Sequence, residues 1–235
     1  MLSSVRKLLL QLLRMHKTMS TVEESVVATP VQTAVRKRPR PGERRVQILQ
    51  ALAAMLQQPG GERITTAALA ARLEVSEAAL YRHFASKAQM FEGLIEFIES
   101  SVFTLINRIV EHKDEGAGSA AANGTQQAMR IVTMVLQFAE RNPGMVKVMV
   151  GDALVFENER LQQRMNLFFD KVEAALRQCL REGAETAGSS TPTADAQQRA
   201  ALLGDLMRGR MLRFVRSGFK AAPDADIQNV LALLH

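Results

Sequence analysis

The sequence lacks much of what several classes of protein require. It has a single cysteine, Cys179, so no disulfide can form within the chain, and a reducing cytoplasm suits it. It has no tryptophan, one tyrosine and few runs of the β-branched and aromatic residues that favour strands. No apolar run approaches the ~18–20 residues that a membrane-spanning helix needs. A disulfide-stabilised secreted domain, an all-β fold and a membrane-spanning protein are therefore disfavoured.

Helix-forming residues are abundant, namely Ala, Leu, Gln, Arg, Glu and Met. With 235 residues and 47% hydrophobic content, the chain can bury a substantial core. The expected fold class is all-α, with an N-terminal three-helix domain over residues 42–102. A helical dimerisation and regulatory domain is expected over residues 103–235. Cys179 falls on the apolar face of a predicted helix, where we expect a buried, unreactive thiol.

Nearly all of the excess positive charge lies in one segment. The net charge of the chain is +6, and residues 36–84 hold nine basic and four acidic residues, a net +5. A basic domain on a near-neutral body indicates a polyanionic partner. From charge alone, a merely solubilising surface is an equal alternative.

Residues 19–41 show no hydrophobic period and end in a basic run, so we expect a disordered basic tail over residues 1–41. The leucine-rich start, residues 1–17, has features of a signal peptide, a transit peptide or a surface anchor, but no small-residue cleavage site follows. We therefore interpret residues 1–18 as a mis-assigned start, with the chain beginning near Met19.

Hydrophobic residues recur at helical spacing along most of the remaining chain, interrupted by Pro, Gly and small polar residues. We predict a loop of small residues at 116–124 and a flexible break at 183–193. Helices are predicted over residues 43–57, 66–73, 77–83, 86–112, 125–141, 145–150, 152–182 and 194–218, with a short last helix from Pro223.

Two of these helices are short and joined by about three residues, the pattern of a helix-turn-helix. Thr65 and Ser76 are predicted N-caps, because their hydroxyls can accept hydrogen bonds from free backbone N–H groups. In the second helix Leu80 and Phe84 suit the core, and the opposite face is left for the DNA major groove. These two helices form a reading head over residues 65–84. The candidate DNA-binding residues are Thr65, Thr66, Ser76, Glu77, Ala78, Tyr81, Arg82 and His83 within it, and Lys87 shortly after it. An ordinary helical hairpin with a wet polar face is the competing interpretation.

Residues 64–70 (ITTAALA) and 75–87 (VSEAALYRHFASK) resemble the DNA-binding domain of TetR-family regulators, and LYRHFASK is the most specific part. The resemblance implies an all-helical homodimer whose two recognition helices enter successive major grooves of palindromic double-stranded DNA. The family usually has glycine where this chain has Glu74, so we expect a left-handed backbone or a differently shaped turn there. The dimer would be a four-helix bundle of the last long helices. The apolar candidates for its interface are Leu202, Leu203, Leu206, Met207, Leu212 and Val215. We expect about half of these six to pack the monomer core instead.

Residues 140–144 (ERNPG) and 213–217 (RFVRS) resemble one branch of that family, the nucleoid occlusion factors. This resemblance implies a cytoplasmic, nucleoid-associated protein that, when bound to DNA, inhibits assembly of FtsZ, the tubulin-like division GTPase, over the chromosome. The branch docks the FtsZ tail at positions matching Phe97, Arg141 and Asn142, and an arginine beside an exposed aromatic suits an acidic, hydrophobic peptide. From the residues alone, a core Phe97 and a simple helix end at Arg141 and Asn142 are equally good interpretations. A ligand-responsive repressor of the same family is the alternative function.

We expect no enzymatic activity, cofactor, metal site or membrane partner. The histidines are scattered, and Cys179 has no obvious histidine partner. Glu157 and Glu159 are predicted to be solvated rather than catalytic. The predicted catalytic and metal-binding residues are therefore none.

Overall fold

The computed structural model describes residues 42–58, 64–111 and 120–233. The predicted basic tail and the interpreted start of the chain lie outside these residues. The described part is helical and contains no strand, which confirms the all-α prediction. Its helices are α1 (Glu43–Gln57), α2 (Thr66–Arg72), α3 (Glu77–Tyr81), α4 (Lys87–Glu111), α5 (Ala120–Arg141), α6 (Pro143–Met149), α7 (Glu159–Thr186), α8 (Pro192–Arg216) and α9 (Ile227–Ala232), with a 3₁₀ turn at Asp152–Leu154.

Most helix bounds lie within two residues of the prediction, but the predicted loop at 116–124 and the predicted break at 183–193 are partly wrong. α5 already begins at Ala120, and α7 continues to Thr186. A Cβ on Gly124 would lie 2.3 Å from the backbone oxygen of Cys179 and 2.9 Å from the backbone nitrogen of Gly183. Gly124 and Gly183 therefore lie within helices rather than loops. At Gly124 the two helices approach each other too closely for a side chain.

The starts of α7 and α9 also differ from the prediction. α7 begins at Glu159 rather than at residue 152, and the side chain of Asn158 caps it by accepting from the N–H of Arg160 at 2.9 Å. α9 begins at Ile227 rather than at Pro223. Arg210 Nη1 donates to two backbone oxygens in the segment before α9, at 3.1 and 2.7 Å, which satisfies carbonyls that no helix bonds.

A contiguous core of buried apolar residues runs from the first helices into the C-terminal body. In the N-terminal part Ile48, Leu52, Leu69 and Phe84 are all at most 1% exposed. In the body the most extensive packing joins α7 with α8 and α5 with α7. The domain boundary predicted at residue 102 falls inside α4, which both parts share, and the domain limits stay predictions.

The body is fixed to the N-terminal helices at more than one point. A Cβ on Gly144 of α6 would lie 1.9 Å from the backbone oxygen of Ala53 in α1, so α6 rests directly on the backbone of α1. The guanidinium of Arg164 in α7 donates to both carboxylate oxygens of Glu99 in α4, at 2.6 and 3.3 Å. A molecule that binds the body near α6 therefore lies close to a helix that is in direct contact with the N-terminal helices.

The predicted division of the dimer candidates between core and surface is confirmed. Half of the six residues are buried and half remain partly exposed. The buried ones are Leu203, Met207 and Val215, and the partly exposed ones are Leu202, Leu206 and Leu212.

Candidate nucleic-acid interface

The two helices of the predicted helix-turn-helix are α2 and α3, and each begins at a hydroxyl cap. Thr65 Oγ1 accepts from the N–H of Ala68 at 3.1 Å, and Ser76 Oγ accepts from the N–H of Ala79 at 3.3 Å. Both predicted caps are confirmed. Thr65 and Ser76 are exposed, and a hydroxyl that accepts one bond still has a proton to donate to a phosphate.

The turn between α2 and α3 has the left-handed residue that the resemblance implies. Glu74 has φ +53°, a conformation that costs a non-glycine residue roughly 1 kcal/mol. The turn is closed by the N–H of Glu74 donating to Ala71 O at 3.1 Å and that of Val75 donating to Ala70 O at 3.0 Å. These bonds hold α3 at a fixed angle to α2 despite the unfavourable backbone.

α3 presents one face to the core and the other to solvent. Leu80 and Phe84 are each 1% exposed and anchor the segment. Tyr81, the only tyrosine, is 44% exposed, and the neighbouring Arg82 and His83 are exposed as well. Together they offer a phenol, a guanidinium and an imidazole, groups that reach base edges or phosphates. The outward orientation that a reading head needs is therefore present.

Thr66 and Glu77, both predicted to bind DNA, contact each other. Thr66 Oγ1 donates to Glu77 Oε2 at 2.5 Å and so joins the first turn of α2 to the first turn of α3. A carboxylate here repels phosphates but can accept a hydrogen bond from the amino group of cytosine. Ala78 beside it is exposed and small, which allows α3 to approach base edges. The DNA-binding roles of all three stay predictions.

Lys87, the first residue of α4, is paired with the body. Its Nζ lies 2.5 Å from Oε1 of Glu157 and 5.8 Å from the centroid of the Phe91 ring. The Glu157 side chain is only 13% exposed, so the prediction that it is simply solvated is wrong. The partners are 70 residues apart, and no local pattern indicates such a pair. The DNA-binding role of Lys87 stays a prediction, and a phosphate at that position would compete with Glu157 for the ammonium group.

Arg45 of α1 is a functional candidate that sequence reasoning missed. Its Nη1 donates to the backbone oxygen of His83 at 3.1 Å, and its Cζ lies 4.1 Å from the centroid of the Phe84 ring. The sequence shows Arg45 only as one charge in a basic run, because 38 residues separate it from His83. The contact joins α1 to the chain just beyond α3.

The docking residues implied by the resemblance are not all at the surface. Phe97 is 6% exposed, and the expectation of an exposed aromatic is wrong. It lies three residues from Leu94 and four from Ser101, both buried, and so falls on the inner face of α4. Asn142 ends α5 by donating from Nδ2 to a backbone oxygen one turn earlier, at 2.7 Å. Arg141 is exposed at the junction of α5 and α6.

The part of the chain that the structure describes has a buried cysteine thiol, no grouped metal ligands and no helix that could span a membrane. Cys179 is 2% exposed, and burial, with the nearby charge of Glu182, raises the pKa of its thiol to about 11. This confirms the prediction of a buried, unreactive thiol. Across residues 42–58, 64–111 and 120–233, no three His, Cys, Asp or Glu side chains are grouped as a metal ion would need. In the same ranges no helix is both long and apolar enough to cross a bilayer.

A helix-turn-helix with an outward recognition helix, joined by a long helix to a helical body, defines the TetR class of DNA-binding regulators. Residues 48–94 match the family described as "Bacterial regulatory proteins, tetR family", and residues 125–235 match the SlmA-like "Tetracyclin repressor-like, C-terminal domain". Among solved structures, the regulators FadR from Bacillus subtilis and PfmR from Thermus thermophilus are similar with TM-scores of 0.62 at 19% and 20% identity. Each match covers 80% of this chain and 96% of that structure, and it shows the fold.

Within that class, the chain belongs to the SlmA family. The curated nucleoid occlusion factors SlmA of Photobacterium profundum and Vibrio cholerae serotype O1 are 49% and 50% identical to it. Both matches extend over 193 residues, 81% of this chain and 93% of the relative. SlmA of Aliivibrio fischeri (strain MJ11) is 47% identical over 197 residues, 83% of this chain and 96% of the relative.

Proposed function

We propose that this protein is a sequence-specific DNA-binding nucleoid occlusion factor. As a homodimer on palindromic double-stranded sites, it inhibits assembly of the FtsZ division ring over the chromosome, and it therefore acts in the cytoplasm, on the nucleoid. The observation that carries the proposal is the outward surface of Tyr81, Arg82 and His83 in a chain about half identical to curated SlmA proteins.

The DNA step rests on size, orientation and charge. A helix is ~10–12 Å wide with its side chains, which matches the ~12 Å width of the major groove. The exposed side of α3 supplies Tyr81 and Arg82 for bases or phosphates, and the small Ala78 allows close approach. Thr65 at the start of α2 offers its hydroxyl to the backbone of the same groove. The local charge excess supplies the long-range attraction.

The dimer step rests on exposed apolar residues of the two helices that pack most extensively on each other. Leu167 of α7 is 50% exposed and Leu202 of α8 is 52% exposed. A second copy that packs the same two helices against them removes this surface from water and forms a four-helix bundle. A two-fold dimer also presents two copies of α3, as a palindromic site requires.

Docking of the FtsZ tail is supported by Arg141. Its exposed guanidinium can bind a carboxylate through two parallel N–H groups. Asn142 fixes the junction of α5 and α6 and thereby orients Arg141. Phe97 reaches a bound peptide only if its neighbours move aside, so we assign the direct contact to Arg141 and a supporting role in packing to Phe97.

A ligand-responsive repressor has less support. A cleft between α5, α7, α8 and α9 offers about 30 Å³, enough for a water or two. Small-molecule pockets hold roughly 300–1,000 Å³. Mapping of bound DNA across the chromosome separates the two functions. A repressor occupies a few sites beside the genes that it controls, whereas an occlusion factor occupies many sites and avoids one chromosomal region.

The test of the division step is a charge reversal at Arg141. With DNA fragments recovered by the mapping, the wild-type protein should reduce sedimentable FtsZ polymer. Arg141→Asp should bind these fragments within about twofold of wild type, since Arg141 lies outside the reading head, and should lose the inhibition, because an aspartate repels an acidic tail.

The matched control is Arg160→Asp. Arg160 is an exposed arginine in the first turn of α7, where an acidic residue suits the helix dipole, so the same change of charge should leave inhibition intact. Persistent inhibition by Arg141→Asp, or equal loss in both variants, would show that the docking surface is misplaced.

A further inference from the structure

We propose that Arg45 is both a phosphate contact and the positioning residue for the recognition helix. This inference rests on the proposed DNA binding and adds a residue of α1 to the reading head. The guanidinium of Arg45 bonds His83 O at 3.1 Å and stacks 4.1 Å above the ring of Phe84, so it touches two consecutive residues just past α3.

The positioning role follows from what α3 otherwise lacks at its C-terminal end. Its N-terminal end is held by the Ser76 cap and by the bond between Thr66 and Glu77. At the other end α3 stops after Tyr81, having only five residues, and such a short helix has little stability of its own. The bond from Arg45 satisfies a backbone oxygen beyond the helix, and its stacking covers the buried Phe84 ring. Arg45 therefore fixes the direction in which Tyr81 and Arg82 point.

The phosphate role follows from the part of the guanidinium that remains unused. An arginine has five N–H donors, and among residues 42–58, 64–111 and 120–233 the structure shows one bond from Arg45, to His83. The side chain is exposed, and no carboxylate of the described residues lies within ion-pair distance of it. The end of a helix that fills the major groove meets the phosphates along one wall of that groove. Arg45 thus places a cation where a phosphate comes to lie.

Arg44 provides a matched comparison in the same turn of α1. Its Nη1 donates to Gln47 Oε1 at 2.9 Å, within its own helix. Arg44→Gln removes the same charge as Arg45→Gln and leaves the bond between α1 and the segment after α3 in place. Arg45→Lys keeps the charge of Arg45 but loses the planar stacking and the fixed geometry of its bond.

The experiment measures dissociation constants of the full-length protein and its variants at several salt concentrations. The probes are a labelled duplex enriched from a random library by the wild-type protein and a mixed-sequence duplex of equal length. For Arg45→Gln we expect at least a tenfold loss on the enriched duplex. The slope of log K against log salt should also fall by about two per dimer, because each phosphate contact contributes ~0.9 and the dimer has two copies. Arg45→Lys should keep the slope while the ratio of specific to mixed-sequence affinity falls several-fold. Arg44→Gln should keep that ratio.

Two results overturn the inference. They are a wild-type slope for Arg45→Gln, or a ratio of specific to mixed-sequence affinity that Arg45→Lys leaves unchanged. Thermal unfolding of each variant checks the fold, and Arg45→Lys keeps the test valid if Arg45→Gln does not fold. Failure of the wild-type protein to bind the enriched duplex in a salt-dependent way would instead count against the proposed DNA binding itself.

Discussion

Among single residues, Glu140 lies in an unusual electrostatic setting. Burial and the nearby Asp224 carboxyl raise the pKa of Glu140, and the positive charge of Arg141 only partly opposes this. Glu140 therefore interacts both with a second carboxyl group and with the arginine that we assign to partner docking. The repulsion between the two carboxyl groups stabilises the proton on Glu140 in the folded state relative to the unfolded chain.

This arrangement gives a stability that decreases with rising pH. The unfolded chain loses the proton of Glu140 at the ordinary pKa, and the folded protein loses it only at a higher pH, so stability falls across that window. Glu140→Gln should remove this fall and be more stable than wild type above the window, by less than about 0.5 kcal/mol because the site is largely exposed. Thermal unfolding from pH 4 to pH 8 measures the difference. A difference that does not grow with pH, or that persists unchanged in an Asp224→Asn background, contradicts the coupling.

Single residues also show what a sequence can predict. The caps at Thr65 and Ser76 were predictable because capping depends on neighbours two or three positions away. The left-handed backbone at Glu74 was implied by the family pattern. From the residues alone the burial of Phe97 was left open, and the exposed position implied by the resemblance is wrong. The face of a long, largely apolar helix that meets the core depends on helices elsewhere in the chain.

Among the helices, α4 carries two ion pairs that join the N-terminal part to the body. The pair of Lys87 with Glu157 lies at its start, and the pair of Glu99 with Arg164 lies near its middle. In both pairs the residue of the body comes from the chain around the start of α7. Lys87 is also a predicted DNA-binding residue, so the predicted DNA contact and the contact with the body would use the same ammonium group.

We therefore expect Glu157→Gln to bind DNA more tightly than wild type. Removing the competing carboxylate leaves Lys87 available to a phosphate, and a pair of this exposure is worth up to about 1 kcal/mol, or about fivefold in affinity for each half-site. Fluorescence anisotropy on the enriched duplex measures the effect. Lys87→Gln should weaken binding, and adding Glu157→Gln to it should change nothing further. A gain that persists without Lys87 would show that the carboxylate acts on DNA directly.

The helices were predicted better than the contacts between them. Hydrophobic period and capping residues place most bounds within two residues, since these signals are local. The prediction of loops at Gly124 and Gly183 is wrong, because glycine there allows α5 and α7 to touch rather than ending a helix. The contacts of Arg45 with His83 and of Lys87 with Glu157 carry no sequence signal, because the fold alone brings such distant positions together.

At the scale of the whole molecule, dimerisation raises the affinity for DNA because it links two reading heads. A second half-site bound by a linked copy adds an effective concentration rather than a new kind of contact, and such linkage commonly contributes 10²–10⁴ in affinity. Leu202→Asp places a charge in the proposed bundle and should yield a monomer that binds the enriched duplex at least ~100-fold more weakly. Light scattering after gel filtration gives the mass, and anisotropy gives the affinity.

Val155→Asp is the control for that prediction. Val155 is 69% exposed but lies before α7, outside the paired faces of α7 and α8, so the same substitution there should leave a dimer. If Leu202→Asp remains dimeric at micromolar concentration, the interface lies elsewhere on the body.

The direct seating of Gly144 on the backbone of α1 has a consequence for the order of events in a dividing cell. The chain turns from Arg141 into α6 within three residues. In the proposed function, a peptide bound by Arg141 and a duplex bound by the helices around α1 would therefore both act on the close contact between α6 and α1. Thermodynamic linkage makes any such influence mutual. By whatever factor bound DNA raises the affinity for FtsZ, bound FtsZ raises the affinity for DNA. In the proposed function, a nascent ring over unsegregated DNA would then raise the occupancy of its own inhibitor at that place.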